Sequence, residues 1–220
     1  MSGIASGGVA YLIFIRGLRS ERDKQAALEQ NRRSEAAFGA MFKMRDWLEA
    51  GLKTGNLVEE QLARRGDKIS AGLPVPMAVK PFPNSLPEPE RISVTEVSFL
   101  ASRDNAELIN RVFEIQSWGH HLLVLASQYS RKRIEFGEWF ASNATEHELI
   151  GDEGFSATFD KREGVEARMR IAEMEGLLDS ILLDFHETEN RHKEAIAQFI
   201  SECQAAYPES FPAVEIRYPQ

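Results

Sequence analysis

The sequence predicts an all-α protein: a long antiparallel helical hairpin, a third N-terminal helix that packs on it, and an N-terminal membrane-associating segment. Two segments of the C-terminal half carry apolar residues at alternating steps of three and four, the spacing of one helix face. A loop of roughly twenty residues joins them, as in an antiparallel pair. The chain has 220 residues, of which 43% are hydrophobic and 27% charged, a globular balance.

The pattern along the chain divides it into five parts. They are a membrane-associating apolar segment (1–18), a helical stalk with a short helix (19–72), a proline-rich extended connector (73–91), the helical hairpin (92–206) and an extended tail (207–220).

The N-terminal segment is apolar and is followed directly by cations. Gly3–Ile15 carries no charge, and Arg16, Arg19, Arg22 and Lys24 come next. A signal peptide has the reverse order, whereas the inner half of a membrane span with its C-terminal side in the cytoplasm has this one. Thirteen helical residues cover only about 20 Å of a hydrocarbon core about 30 Å thick. Three interpretations stay open: a span that begins upstream, an anchor in one leaflet or at the interface, and a helix start buried against the protein.

A helix is predicted to leave this segment as a charged stalk and then to turn apolar. Lys53–Asn56 contains a glycine and predicts the end of the helix, and a shorter helix is expected from Leu57 to about Ser70. The predicted apolar stripe comprises Phe38, Met41, Phe42, Arg45, Leu48 and Leu52.

The connector is too rich in proline to be helical. Val75, Met77, Val79 and Phe82 alternate along it, so we expect it to lie in a surface groove rather than hang free. Its six prolines are Pro74, Pro76, Pro81, Pro83, Pro87 and Pro89.

The hairpin begins with two capping boxes, Ser93–Glu96 and Asp104–Glu107, and Asp160–Glu163 opens its last helix. The first long stripe is Leu108, Val112, Ile115, Gly119, Leu122, Ala126, Tyr129, Phe136 and Phe140, interrupted only by Arg133. The second is Ile171, Met174, Leu178, Ile181, Phe185, Thr188, His192, Ala195 and Phe199.

Charge is unevenly distributed along the chain. The net charge of -8 argues against general nucleic-acid binding. Residues 1–33 hold six basic and three acidic side chains, net +3, whereas residues 145–206 hold fifteen acidic and six basic ones, net -9. This asymmetry indicates that the N-terminal part meets an anionic surface such as a membrane.

One local motif is typical of metal chemistry. Glu189 and His192 have the Glu-x-x-His spacing of di-iron bundles, and His186 lies one turn earlier. The hairpin partner has no second such motif. If the hairpin turned near Leu149, Glu107 would be the one plausible carboxylate at the level of His192. Because His192 also falls on the apolar seam, we predict that it is structural.

The other candidates are weaker. His120 and His121 point in different directions on a helix, Cys203 has no histidine near it in sequence, and Arg131–Arg133 is predicted to be a solvated basic face. We therefore assign no catalytic, cofactor-binding or metal-binding residue.

The layout resembles uncharacterised bacterial inner-membrane proteins with one N-terminal span and a helical cytoplasmic part. The residues that carry this likeness are the cations after the apolar start, the stretch Ser93–Leu100, and Asp104 and Asn105 before a long helix. The resemblance implies the bacterial inner membrane as the location, with the bulk of the chain cytoplasmic, and no assigned catalytic residues.

Three functional hypotheses follow. The leading one is a non-enzymatic, membrane-associated helical interaction or scaffold protein at the cytoplasmic face, bound to lipid through residues 1–18 and to a protein partner or to itself. The first alternative is a helical enzyme or metal protein using His186, Glu189 and His192. The second is a soluble helical protein of a phage or mobile element.

Overall fold

The chain is almost entirely helical, which confirms the predicted all-α class. The computed structural model describes residues 3–70, 72–82, 87–144, 146–150 and 154–214, without the side chains of 3–17, 146–150 and 154–157. The elements are α1 (Gly3–Arg64), α2 (Gly66–Ser70), α3 (Val75–Ala78), α4 (Val94–Ala101), α5 (Ala106–Asn143), β1 (Glu146–Ile150), β2 (Gly154–Thr158) and α6 (Lys161–Ala206).

Three long helices, α1, α5 and α6, form a bundle in which each packs on the other two. Helices α5 and α6 are antiparallel, because Arg103 Nε lies 2.7 Å from Glu202 at one end and Lys132 Nζ lies 2.6 Å from Glu173 at the other. Helix α1 runs parallel to α5, because Trp47 meets Gly119 and, further along both helices, Arg65 just after α1 lies near Arg133. The short helix α4 packs against α1 and α5 where the bundle begins.

Helices α5 and α6 are joined through a two-stranded antiparallel hairpin rather than through an irregular loop. Glu146 pairs with Thr158 and Ile150 with Gly154. The residues joined by ion pairs between α5 and α6 lie symmetrically in sequence about the turn between Ile150 and Gly154, and so do the paired residues of the two strands. The two strands therefore continue the antiparallel register of the two helices.

The apolar stripes predicted for α5 and α6 face the core. Leu122, Tyr129, Leu178 and Phe199 are completely buried. On α1 the predicted stripe is partly wrong, since Phe42 is 38% exposed and Arg45 lies over the outward face of its ring, 5.0 Å from the centroid. The buried face of α1 is instead formed by Ser34, Ala37, Ala40, Met41, Met44, Trp47, Leu48, Gly51, Leu52, Thr54, Gly55 and Val58.

The predicted end of α1 at Lys53–Asn56 is wrong, because the helix continues to Arg64. Gly51 and Gly55 are places of close helix approach. A Cβ at Gly51 would stand 2.2 Å from the ring of Trp118, and a Cβ at Gly55 would stand 2.3 Å from the ring of Phe185. Both glycines are therefore required by neighbouring aromatic rings and not by a left-handed backbone.

The capping prediction holds for α4 and is displaced by one residue for α5. Ser93 N donates to Glu96 at 2.7 Å, as in a capping box. At α5, Asp104 has a φ of 55°, and Asn105 is the N-cap, whose side chain accepts from Leu108 N at 3.2 Å.

The connector lies on the bundle, as predicted, and contains one helical turn, α3. Its backbone is held by helix side chains. Phe82 N donates to Ser130 Oγ at 2.8 Å, Lys80 N donates to Gln61 at 2.7 Å, and Trp47 Nε1 donates to the carbonyl of Glu90 at 3.0 Å. Burial of Val79 and Phe82 anchors the same stretch.

Within the described residues, no helix combines the length and the apolar character needed to cross a membrane. The side chains of residues 1–17, which account for nearly all of the predicted membrane-associating segment, lie outside the described set, as do residues 215–220 of the predicted tail.

Candidate functional site

The most distinctive surface is the arm of α1, which we define as residues 18–33. Every residue of the arm is exposed, and the first buried position after the arm is Ser34. Sixteen residues at 1.5 Å each make the arm about 24 Å long. The arm continues the helix of the bundle without a break, so one element runs from the apolar N-terminal segment into the core.

The arm is charged and carries two exposed leucines. It holds five basic and three acidic residues, among which Glu29 pairs with Arg33 one turn away. Leu18 is 44% exposed and Leu28 is 61% exposed. A helix of this length has little stability alone in water. Its continuity with the packed part of α1 removes the cost of nucleation, and this explains how the arm stays helical although all of its residues are exposed.

Aromatic side chains surround the base of the arm. Phe38 contacts Phe211 with ring centroids 5.6 Å apart, and Phe99 contacts Tyr207 with ring centroids 5.5 Å apart. Burial raises the pKa of the Tyr207 hydroxyl, and the positive charge of Arg33 offsets part of this increase. The segment after α6 thus folds back over the start of the bundle and fixes the point at which the arm emerges.

A second anchor near this base is the Lys43 network. Lys43 Nζ lies 2.7 Å from Glu90 and 2.8 Å from Glu96, and it donates to the carbonyl of Arg91 at 3.2 Å. Hydrogen bonds from Lys43 to Glu90 and Glu96 raise the pKa of the ammonium group. Burial opposes ionisation of Glu96, but the hydrogen bonds from Lys43 and Ser93 outweigh it and lower the pKa of this carboxyl. The network joins α1 to the connector and to α4.

The three residues of the metal hypothesis are not brought together. His192 is 3% exposed and packs on Trp118 with ring centroids 4.9 Å apart. His186 lies 3.2 Å from Glu59, and Glu189 pairs with Lys193. The prediction that His192 lies in the core is confirmed.

The prediction of which part of α5 faces His192 is wrong. Its neighbour Arg191 pairs with Glu114, not with the region of Glu107, a difference of about two helical turns. The expectation assumed a turn near Leu149, whereas the facing residues of α5 and α6 are centred between Ile150 and Gly154. Glu107 pairs instead with Arg111 of its own helix.

His192 has an unusual environment. Its Nε2 atom is buried without a hydrogen-bond partner among the described residues. Burial lowers the pKa of His192 to about 4, and the neighbouring positive charge of Arg191 adds to this effect. The imidazole is therefore neutral at physiological pH.

The remaining candidates are individually accounted for. His120 Nδ1 lies 3.3 Å from Glu88, and His121 Nε2 lies 3.2 Å from Asp184. Cys203 is buried, which raises the pKa of its thiol to about 12 and leaves it a poor nucleophile.

The basic cluster Arg131–Arg133 is only partly the solvated face that we predicted. Arg131 faces solvent and lies 3.8 Å from Glu135, and Lys132 reaches Glu173. Arg133 turns inward, and its Nε atom is buried. The signal for this was its place on the apolar stripe of α5.

In the part of the chain that the structure describes, no group of three or more His, Cys, Asp and Glu side chains is placed to hold a metal ion. Comparison of the chain with protein-family models, curated proteins and solved structures found no match.

Proposed function

We propose that this protein is a membrane-associated helical interaction or scaffold protein, in which the arm of α1 holds the bundle away from a membrane surface. The observation that carries the proposal is the arm itself: a helical segment in which every residue is exposed, continuous at one end with an apolar sequence and at the other with the packed core.

Charge supports this arrangement. The cations that follow Ile15 suit an anionic lipid surface. The segment 145–206 carries a net charge of -9, and such a surface would repel it. An arm of about 24 Å exceeds the Debye length of about 8 Å at physiological ionic strength. The arm therefore lets the cationic N-terminal part lie at an anionic membrane surface while it holds the acidic bundle beyond the range of electrostatic repulsion.

The location and the partners belong to the same proposal. Cations directly after an apolar segment favour the cytoplasmic side of a bacterial inner membrane. The exposed Leu18 and Leu28 offer the arm a means of binding a protein partner or a second copy of the chain. No catalytic group enters into this proposal.

Flotation with lipid vesicles tests the proposal. The full chain should float with vesicles that contain anionic lipid. Changing both Leu12 and Phe14 to Asp in the apolar segment should leave the protein at the bottom of the gradient. The matched control is Leu28→Asp in the arm, which should still float.

Two results would contradict the proposal. One is a full chain that does not float with any vesicle. The other is a Leu12→Asp, Phe14→Asp variant that floats as well as the control, since membrane binding would then not depend on the apolar segment.

A further inference from the structure

A cavity of about 280 Å³ lies at the end of the bundle opposite the arm, between the end of α1, the connector, α5 and α6. We call it the basic pocket. Its apolar wall includes Phe136, Phe140, Phe159 and Ile171. Its volume is just below the usual range for small-molecule sites, about 300 to 1,000 Å³.

Three cationic side chains line the basic pocket, Arg65, Lys80 and Arg133, and among the described residues that line it none carries a carboxylate. The chain as a whole has a net charge of -8. The charge of the residues that line this apolar cavity is therefore opposite in sign to the net charge of the protein.

Arg133 is the central feature of the pocket. Its Nε atom is buried and has no hydrogen-bond partner among the described residues. Burial lowers the pKa of Arg133, and the nearby positive charge of Arg65 acts in the same direction, whereas the neighbouring Tyr129 hydroxyl partly offsets both. A buried N–H donor without an acceptor is costly, and two guanidinium groups that repel each other add to that cost.

Rigid elements hold the walls of the pocket. The Tyr129 hydroxyl lies 2.7 Å from the carbonyl oxygens of both Pro76 and Val79, and Arg65 Nη1 donates to the carbonyl of Met77 at 3.2 Å. These contacts fix the connector over the pocket. Phe159 stacks on Trp139 with ring centroids 5.5 Å apart, which orients the opposite wall.

We propose that the basic pocket binds a small amphiphilic carboxylate, with the carboxylate on Arg133 and Lys80 and the hydrocarbon part against the phenylalanine wall. A carboxylate accepts two parallel bonds from a guanidinium and would balance the positive charge of Arg133. The apolar wall disfavours an anion without a hydrocarbon part, such as inorganic phosphate. This site is separate from the arm and does not depend on the proposed membrane association.

Isothermal titration calorimetry with decanoate, kept below its micelle concentration, tests the proposal. The full chain should bind one equivalent saturably. Decanol, which has the chain without the charge, and inorganic phosphate, which has charge without the chain, should each bind at least about tenfold more weakly.

Three variants locate the site. Arg133→Gln and Lys80→Gln should each weaken decanoate binding, the first by about tenfold or more. Ala167→Leu should also weaken it, because Ala167 lines the pocket and a larger side chain fills it without changing charge. The matched control is Arg131→Gln, two residues from Arg133 but exposed, which should bind decanoate like the unmodified chain.

Far-UV circular dichroism of each variant checks that the fold is retained. Lys80 is exposed, so Lys80→Gln keeps the test valid even if a buried substitution does not fold. The proposal is overturned if decanoate shows no saturable binding, if decanol or phosphate binds as tightly as decanoate, or if the folded pocket variants bind like Arg131→Gln.

Discussion

The indole of Trp118 occupies the space in which a side chain at Gly51 would begin. A Cβ built on Gly51 stands 2.2 Å from the Trp118 ring, and Trp118 Nε1 donates to the carbonyl of Asp184 on α6 at 3.1 Å. Trp118 of α5 thus packs against the glycine surface of α1 and is held in position by its hydrogen bond to α6. The three helices meet at this point.

Gly51→Ala should destabilise the protein even though alanine is the better helix former. The added Cβ collides with a ring that its hydrogen bond holds in place, and overpacking of this kind costs about 1 to 3 kcal/mol. Gly137 is the matched control, because it is helical and nothing lies within 4 Å of an added Cβ. Gly137→Ala should stabilise by about 0.5 to 1 kcal/mol. Urea unfolding measures both, and equal stabilisation by the two substitutions would show that α1 and α5 do not approach at Gly51.

Leu122→Ala and Leu178→Ala should each cost about 2 to 5 kcal/mol of unfolding free energy, because both leucines are completely buried in the seam between α5 and α6. Leu183→Ala, on an outward face of α6 and 58% exposed, should change stability by less than about 0.5 kcal/mol. Similar losses at all three positions, measured by urea unfolding, would mean that the buried face of α6 has been misassigned.

His192 should make the protein less stable in acid. Its pKa is lowered to about 4 in the folded chain from the ordinary value of 6.5, so the unfolded chain binds a proton more readily. The stability it contributes is fully present above pH 6.5 and is lost as the pH falls toward 4. The full loss is about 3 kcal/mol.

The substitution His192→Leu isolates this effect, because it removes the titrating group and fills a similar volume. The difference in unfolding free energy between the unmodified chain and the variant should change between pH 7.5 and pH 4.5, in favour of the variant at the lower pH. A pH-independent difference would show that His192 is protonated equally in both states.

Lys43→Met should destabilise the protein by about 1 to 3 kcal/mol, because it leaves Glu96 without its charged partner in a half-buried site. Lys53→Met is the control: Lys53 pairs with Glu49 at 2.6 Å but is 63% exposed, and its loss should cost less than about 0.5 kcal/mol. Combining Lys43→Met with Glu96→Gln should recover part of the loss. Strictly additive effects in thermal or urea unfolding would contradict the coupling.

The helix faces of α5 and α6 could be predicted because burial follows the helical period directly, and Leu122, Leu178 and His192 were placed correctly on that basis. The end of α1 could not be predicted in this way. A glycine next to an asparagine resembles a helix stop, and only the ring of Phe185, distant in sequence, shows that Gly55 allows a close helix approach instead.

The basic pocket could not be predicted from the sequence for a related reason. Arg65, Lys80 and Arg133 belong to α1's end, the connector and α5, and no local pattern links them. Arg133 was recognised as the residue that interrupts an apolar stripe and as part of a basic cluster, but not as part of a cavity. The arm was predicted as a charged stalk, because its composition alone excludes burial of any face.

The way the connector is attached places the constraint on sequence variation in the helices rather than in the connector itself. Most loop sequences vary freely while the helices beneath them do not. Here helix side chains hold the main chain of the connector and of the residue that follows it: Gln61 accepts from Lys80 N, Ser130 accepts from Phe82 N, and Gln116 accepts from Ile92 N at 2.6 Å. Main-chain groups are the same in every amino acid except proline, so many connector positions can change without losing these bonds. The selective constraint falls instead on polar helix positions that a burial criterion alone would overlook.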